Sequence, residues 1–466
     1  MNTRSINPAI RVVISSINRP KGWQRPLQIG LLEGLKGSIG SNFPQPWHSK
    51  AFCTSRLLNS SAPQASHSGR DFKILRFTPR ETEDAWQNIQ QNPLFFRDAC
   101  DCSQCVDESS RQRNYAFFNI PGHITPTLSH TDDEGNIHVK WTNDVPGFDD
   151  THVSKFSPSF VKERSRPFAV RDKSSSEPRW DAATFAHKGC WTRFEDFMNQ
   201  EEPLRRLLWH LHMDGLVFVT NVPPEASSVS DIGERIGPLK NTFYGLTWDV
   251  KSVPQAKNVA YTSKYLGFHM DLLYVKDPPC LQLLHCITNT CTGGESRFVD
   301  TFKAASIYAK RYPHFVDLLS RTNLCYEYDN DGYYYEQARP IFWHRNVPQL
   351  GGKSLDESLR WVNWSPEFLD TPAYPNPNRA LIAQFREAAK AFADILESEE
   401  LVYQVKMDPG TCVIFQNRRV AHARNAFDMN SGERWLRGAY LDEDVFRSKL
   451  RVLGVEGPQD PKLSSR

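Results

Sequence analysis

The sequence predicts a mainly β protein with flanking helices: a double-stranded β-helix of jelly-roll type, preceded by a small β-rich N-terminal domain built around a cysteine cluster. Three observations predict it. Short runs rich in β-branched and aromatic residues alternate with turn signals from residue 216 onward, as in LVFVTNV, NVAYTS, CLQLLHCIT, SRFVDTF, YQVKM, TCVIFQN and WLRGAYLD. Few stretches carry helical periodicity, so the helices are expected outside a barrel. A polar stretch between Phe156 and Ala186, containing KERSRPF and RDKSSSEPRWD, separates the cysteine-bearing part from the rest.

The 466 residues suffice for two or three domains and a large core, so stability requires no staple. A formal charge of +2 exerts no global pull toward nucleic acid, and no apolar run reaches the length of a membrane span. A small molecule is therefore the default partner. Up to Arg70 the basic residues face one acid, Glu33, in a background of Ser, Asn and Pro, which is the profile of a mitochondrial transit segment; the alternative is a basic disordered tail on a cytoplasmic protein. The expected organisation is a transit or disordered segment (1–70), an N-terminal domain (71–165), a linker (166–186), the main domain (187–452) and a short tail (453–466).

The N-terminal domain reads as short strands, ILRFTP and GNIHVKWT, with a hairpin signal at DDEGN. Three of the ten cysteines, Cys100, Cys102 and Cys105, fall in FFRDACDCSQCVDE. Thiolates so close in sequence can converge on one cation, and zinc then needs one further ligand from His123, His130, His138 or His152. Such a closed tetrahedral site would be structural. In the main domain, PLRRLLWHLHMDG reads as a helix ended by Gly215, with His210 and His212 as ordinary helix residues. Two further helical stretches are FKAASIYAKRYPHFVDLLS and ALIAQFREAAKAFADILES.

The stretch LGFHMDLLY places His269 and Asp271 two apart in an otherwise apolar run. Residues two apart on a strand face the same side, so both side chains can meet one metal. The best later partner is His422, in TCVIFQNRRVAHARNAF. Two histidines and a carboxylate leave open positions on iron(II) for a chelating keto acid and O2. The far carboxylate of that keto acid requires a buried arginine, for which ERWLRGAYLD offers Arg434 and Arg437.

The segments TFYGLTWDV, KNVAYTSKYLGFHMD, QLLHCITNTCTGGES, VAHARNAF and RWLRGAY closely resemble the γ-butyrobetaine dioxygenase and trimethyllysine dioxygenase family of 2-oxoglutarate oxygenases, over about residues 71 to 452. The resemblance implies that His269, Asp271 and His422 hold iron, that Arg434 pairs with the 2-oxoglutarate tail, and that Ser296 also touches it. It implies structural zinc held by Cys100, Cys102, Cys105 and His152, ascorbate as reductant, and a homodimer.

A quaternary ammonium offers no hydrogen bond, so aromatic faces must recognise it. By resemblance, Tyr244, Trp248, Tyr261 and Tyr440 form such a cage and Asn258 adds a polar contact. Asn363 and Ser365, in RWVNWSPEF, both remain candidates for the substrate carboxylate. Met270 stands where many relatives have Thr, close to the metal. The implied reaction is hydroxylation of γ-butyrobetaine to carnitine. Alternatives are trimethyllysine, another small molecule of this family, and a non-catalytic metal-binding module, which the complete ligand set disfavours.

Overall fold

The computed structural model describes residues 78–165, 179–251, 262–344, 355–369 and 379–455. The basic segment up to residue 70, most of the linker, and both Asn258 and Tyr261 lie outside the described residues.

In the N-terminal part, Thr78 caps a helix over Pro79–Gln91: its hydroxyl accepts the Glu81 N–H and the Glu81 carboxylate returns to the Thr78 N–H. Of the expected strand ILRFTP, residues 74–77 lie outside the described residues, and Thr78 and Pro79 begin this helix instead. A second, short helix, Pro93–Asp98, leads into the cysteines. The hairpin forms as expected, β1 (Thr125–Thr131) pairing with β2 (Ile137–Thr142), and β3 (Ser154–Phe156) adds to β2. Asp132 shapes the turn by accepting the Glu134 and Asn136 N–H groups. Ile89, Phe96, Ile137, Val139, Phe156 and Val161 form the core of this part.

From residue 190 two sheets build the barrel. One contains β4 (Cys190–Arg193), β5 (Leu216–Thr220), β6 (Thr247–Lys251), β8 (Leu281–Asn289), β16 (Thr411–Gln416) and β19 (Arg434–Leu441), in the order β4-β5-β16-β8-β19-β6. The other has the order β15-β10-β17-β7, from Tyr403–Val405, Ser296–Asp300, Val420–Arg424 and Leu266–His269. Side chains from both, among them Phe218, Phe298, Val413, Phe415 and Leu436, fill the space between. Short pairs complete the strands: β9 (Thr292–Gly293) with β18 (Phe427–Asp428), β11 (Asn323–Asn330) with β12 (Tyr333–Pro340), and β13 (Phe342–His344) with β14 (Leu359–Val362).

Helices take a larger share than the expected mainly β reading. The helix Glu201–Asp214 ends at Gly215, whose φ of 77° is the left-handed cap that glycine adopts without strain. Leu204, Leu207, Leu208 and Leu211 pack with Val217, Val219, Leu281 and Leu283 on the outer face of the larger sheet, where the helices Ser228–Ile236 and Glu443–Val452 also lie. The stretch FKAASIYAKRYPHFVDLLS forms two helices, Thr301–Arg311 and Pro313–Arg321, because Pro313 cannot donate to the preceding turn. With Arg379–Leu396 they pack into the largest apolar cluster. No described helix is long and apolar enough to cross a membrane.

Candidate active site and metal centres

The inner end of the smaller sheet brings together three residues that are far apart in sequence. Antiparallel pairing of β17 with β7 sets His422 opposite His269, and the two rings lie 4.1 Å apart. Asp271 follows β7 in a tight turn whose next residue, Leu272, is held at φ 59°, a costly left-handed conformation for a side chain branched at Cγ. One carboxylate oxygen of Asp271 lies 3.4 Å from His269 Nε2 and 3.8 Å from His422 Nε2. All three ligand atoms are within 4.8 Å of one another.

The surroundings orient these groups. His269 Nδ1 lies 2.9 Å from the Gly267 carbonyl, which can only accept, so Nδ1 carries the proton and Nε2 presents its lone pair. Asn417, fully buried, accepts the Asp271 N–H at 2.8 Å and donates to the Asp271 carbonyl at 2.9 Å. Tyr440 donates to the second carboxylate oxygen at 2.6 Å. Burial alone would raise the Asp271 carboxyl, but the adjacent His269 and His422 rings and the Tyr440 hydroxyl hold it well below its usual range. Burial and the neighbouring His269 push His422 down to about 3, which keeps it a neutral donor. At His269 burial works downward and is outweighed by Asp271.

On β19, alternation separates the two candidate arginines. Arg437 points outward, paired with Asp249 at 2.8 Å and donating to Thr247. Arg434 shares the inward face with Leu436, Gly438 and Tyr440. It is 8% exposed, and its Nε has no partner among the described residues. A Cβ at Gly294 would sit 3.2 Å from Arg434 Cδ, so the glycine gives the side chain room. A buried guanidinium without an acid fits the carboxylate of a keto acid. Ser296, buried on β10, pairs in register with Arg424 on β17.

Of the expected aromatic residues, the structure brings Tyr244, Trp248 and Tyr440 together. Trp248 stacks on Tyr440 at 4.0 Å and lies 6.3 Å from Tyr244. A Cβ at Gly438 would overlap the Trp248 ring at 2.3 Å, so that stack depends on the glycine. One face of Tyr440 is thus covered by Trp248, and its hydroxyl is committed to Asp271. Tyr274 sits beside Tyr244, hydroxyl to hydroxyl at 3.5 Å, and stacks on Tyr328 at 5.2 Å. Tyr274, in the LLY that follows the aspartate, is buried in the same apolar cluster as Tyr440. Met270, fully buried, belongs to the apolar cluster, and its N–H donates to the Trp364 carbonyl. Asn363 donates to the Pro340 carbonyl and accepts from Arg418. The buried Ser365 hydroxyl has no partner among the described residues.

The second cluster lies in the N-terminal part. Cys100, Cys102, Cys105 and His152 place their ligand atoms within 4.8 Å of one another. His152 Nε2 is 3.5 Å from Cys100 Sγ and 3.3 Å from Cys105 Sγ, close to the edges of a tetrahedron around zinc, roughly 3.5–3.8 Å. Asp144 accepts from His152 Nδ1 at 2.7 Å and from Arg97 Nε at 2.5 Å, while Arg97 also donates to Cys105 Sγ at 3.3 Å. Burial opposes the charge on His152, yet Asp144 and Cys100 push its pKa up to about 9. The other candidate histidines lie elsewhere: His130 and His138 stack on each other at 4.1 Å, and His123 is exposed.

Residues 189–440 match the model of the taurine catabolism dioxygenase TauD, TfdA family. The chain belongs to that family. It is a 2-oxoglutarate-dependent dioxygenase with a jelly-roll oxygenase fold, and the family's chemistry uses iron(II), 2-oxoglutarate and O2. The chain is 31% identical to the dioxygenase str8 of Strobilurus tenacellus, over 85% of this chain and 94% of that one. It is 30% identical to the γ-butyrobetaine dioxygenase of Homo sapiens, over 77% and 90%. Against the mitochondrial trimethyllysine dioxygenase of Bos taurus the identity is 26%, over 78% and 82%.

Proposed function

We propose that this dioxygenase hydroxylates a small trimethylammonium acid, with γ-butyrobetaine as substrate and carnitine as product. The observation that carries this reading is the aromatic wall of Tyr244 and Trp248, joined to the metal ligands through Tyr440 and Asp271. In this reading His269, Asp271 and His422 hold iron(II), which with 2-oxoglutarate and O2 supplies the oxidising chemistry, releasing succinate and carbon dioxide. Arg434 anchors the far carboxylate of 2-oxoglutarate, helped by Ser296. The faces of Tyr244 and Trp248 attract the ammonium, Tyr261 and Asn258 complete the pocket by resemblance, and Ser365, with its free hydroxyl, is favoured over Asn363 for the substrate carboxylate. Tyr440 acts by holding Asp271 and supporting Trp248.

Trimethyllysine is the second reading, favoured by the basic segment before residue 71, which we propose directs the protein to mitochondria. Zinc in the Cys100, Cys102, Cys105 and His152 cluster is proposed as a structural metal, supported by its donor set and closed geometry. Succinate release with iron(II), ascorbate, O2 and 2-oxoglutarate tests the substrate, comparing γ-butyrobetaine, trimethyllysine and neither. Stimulation by γ-butyrobetaine with gain of one oxygen atom is expected. Stimulation by trimethyllysine alone moves the assignment to the second reading, and stimulation by neither overturns both.

A further inference from the structure

Away from the metal ligands, a cleft of about 740 Å³ opens beside the turn that precedes β17. None of His269, Asp271, His422 or Arg434 lines it. Its lining carries seven basic side chains against four acidic ones. Two of the acids are already engaged: Asp442 with Lys240 at 2.6 Å, and Glu443 with both Arg360 and Arg447. The other two, Asp277 and Asp444, are exposed.

The decisive residue is Arg418. It is 8% exposed, and no acid lies within ion-pair distance of it among the described residues. One of its terminal nitrogens donates to Asn363 Oδ1 at 2.5 Å, whereas its buried Nε has no partner. Its guanidinium carbon lies 4.0 Å from the centre of the Trp361 ring, which fixes the plane of the group. Arg339, also buried, spends its hydrogen bonds on the carbonyls of Leu273, Val275 and Lys276, so its charge too is left without a carboxylate. Burial, followed by the like charge of Arg339, pushes the Arg418 guanidinium down to about 9. A desolvated cation with a donor to spare is costly unless an anion completes it.

We propose that this cleft binds a small organic oxyanion, a carboxylate or a phosphate ester, at a position separate from that of 2-oxoglutarate. Arg418 supplies the directed contact, Arg339 the supporting field, and exposed Lys276 a contact at the rim. Trp361, Trp343 and Phe302 provide apolar lining for the carbon skeleton, for which an inorganic ion alone has no use. The site requires no bound metal and is independent of the substrate reading.

Calorimetric titration of the full chain with citrate, glucose 6-phosphate and inorganic phosphate, at low ionic strength, tests the proposal and separates the two sources of oxyanion. Saturable binding of citrate or glucose 6-phosphate is expected, weakened about tenfold or more by Arg418→Gln and several-fold by Lys276→Gln. Lys276→Gln changes an exposed side chain and so guards against misfolding of the Arg418 variant. Arg434→Gln should leave the binding unchanged. The proposal is overturned if neither organic probe binds, if both cleft variants bind like the parent, or if Arg434→Gln abolishes binding, which would assign the anion to the 2-oxoglutarate position.

Discussion

The two candidate metal clusters of this chain make opposite use of similar materials. The N-terminal one gathers three thiols and an imidazole from a turn and a loop, and closes four donors around a single point. The barrel cluster gathers two imidazoles and one carboxylate, most of it carried on paired strands, and supplies three donors instead of four. In each a side chain braces a ligand from behind, Asp144 on His152 and Tyr440 on Asp271. In the proposed reading, ligand number and softness divide a fastening site from a reacting one, while the bracing is common to both.

The comparison can be broken most directly at its ligands. His269→Ala is expected to abolish substrate-stimulated succinate release while circular dichroism and the zinc content stay unchanged; substantial residual turnover would remove His269 from the iron site. Cys102→Ser should do the reverse, releasing zinc in metal analysis and exposing the N-terminal part to limited proteolysis. Unchanged zinc stoichiometry would count against the closed cluster.

Smaller effects sharpen the contrast. Arg434→Gln removes a charge-assisted contact and should raise KM for 2-oxoglutarate roughly 10- to 100-fold with little change in iron affinity. An unaltered KM would return the role to another residue. Asp144→Asn is expected to weaken zinc about 10- to 100-fold in chelator competition, and Tyr440→Phe to weaken iron by roughly tenfold in the same format. If both variants bind metal like the parent, the bracing is not functional.

Much of this was legible in the sequence because period and spacing are local. The alternation of β19 alone puts Arg434 and Tyr440 on one face and Arg437 on the other, and His269 and Asp271 stand two apart. The hairpin at DDEGN and the glycine stop at Gly215 were readable for the same reason. The helix starting at Pro79 was obscured by the apolar residues ahead of it, and its signal was the Thr78–Glu81 capping pair. What could not be read depends on distant partners. Asn417 meets Asp271 across 146 residues, and Asn363 meets Pro340 and Arg418. Tyr440 reads as a cage residue until the fold places its hydroxyl on Asp271.

The Asn417 clamp has a practical outcome. By gripping the backbone of Asp271 on both sides, at N–H and carbonyl, it fixes the position of this candidate iron ligand within the polypeptide itself. Stripping iron with a chelator should therefore leave a socket of nearly the right shape, and adding iron(II) back should restore turnover without a refolding step.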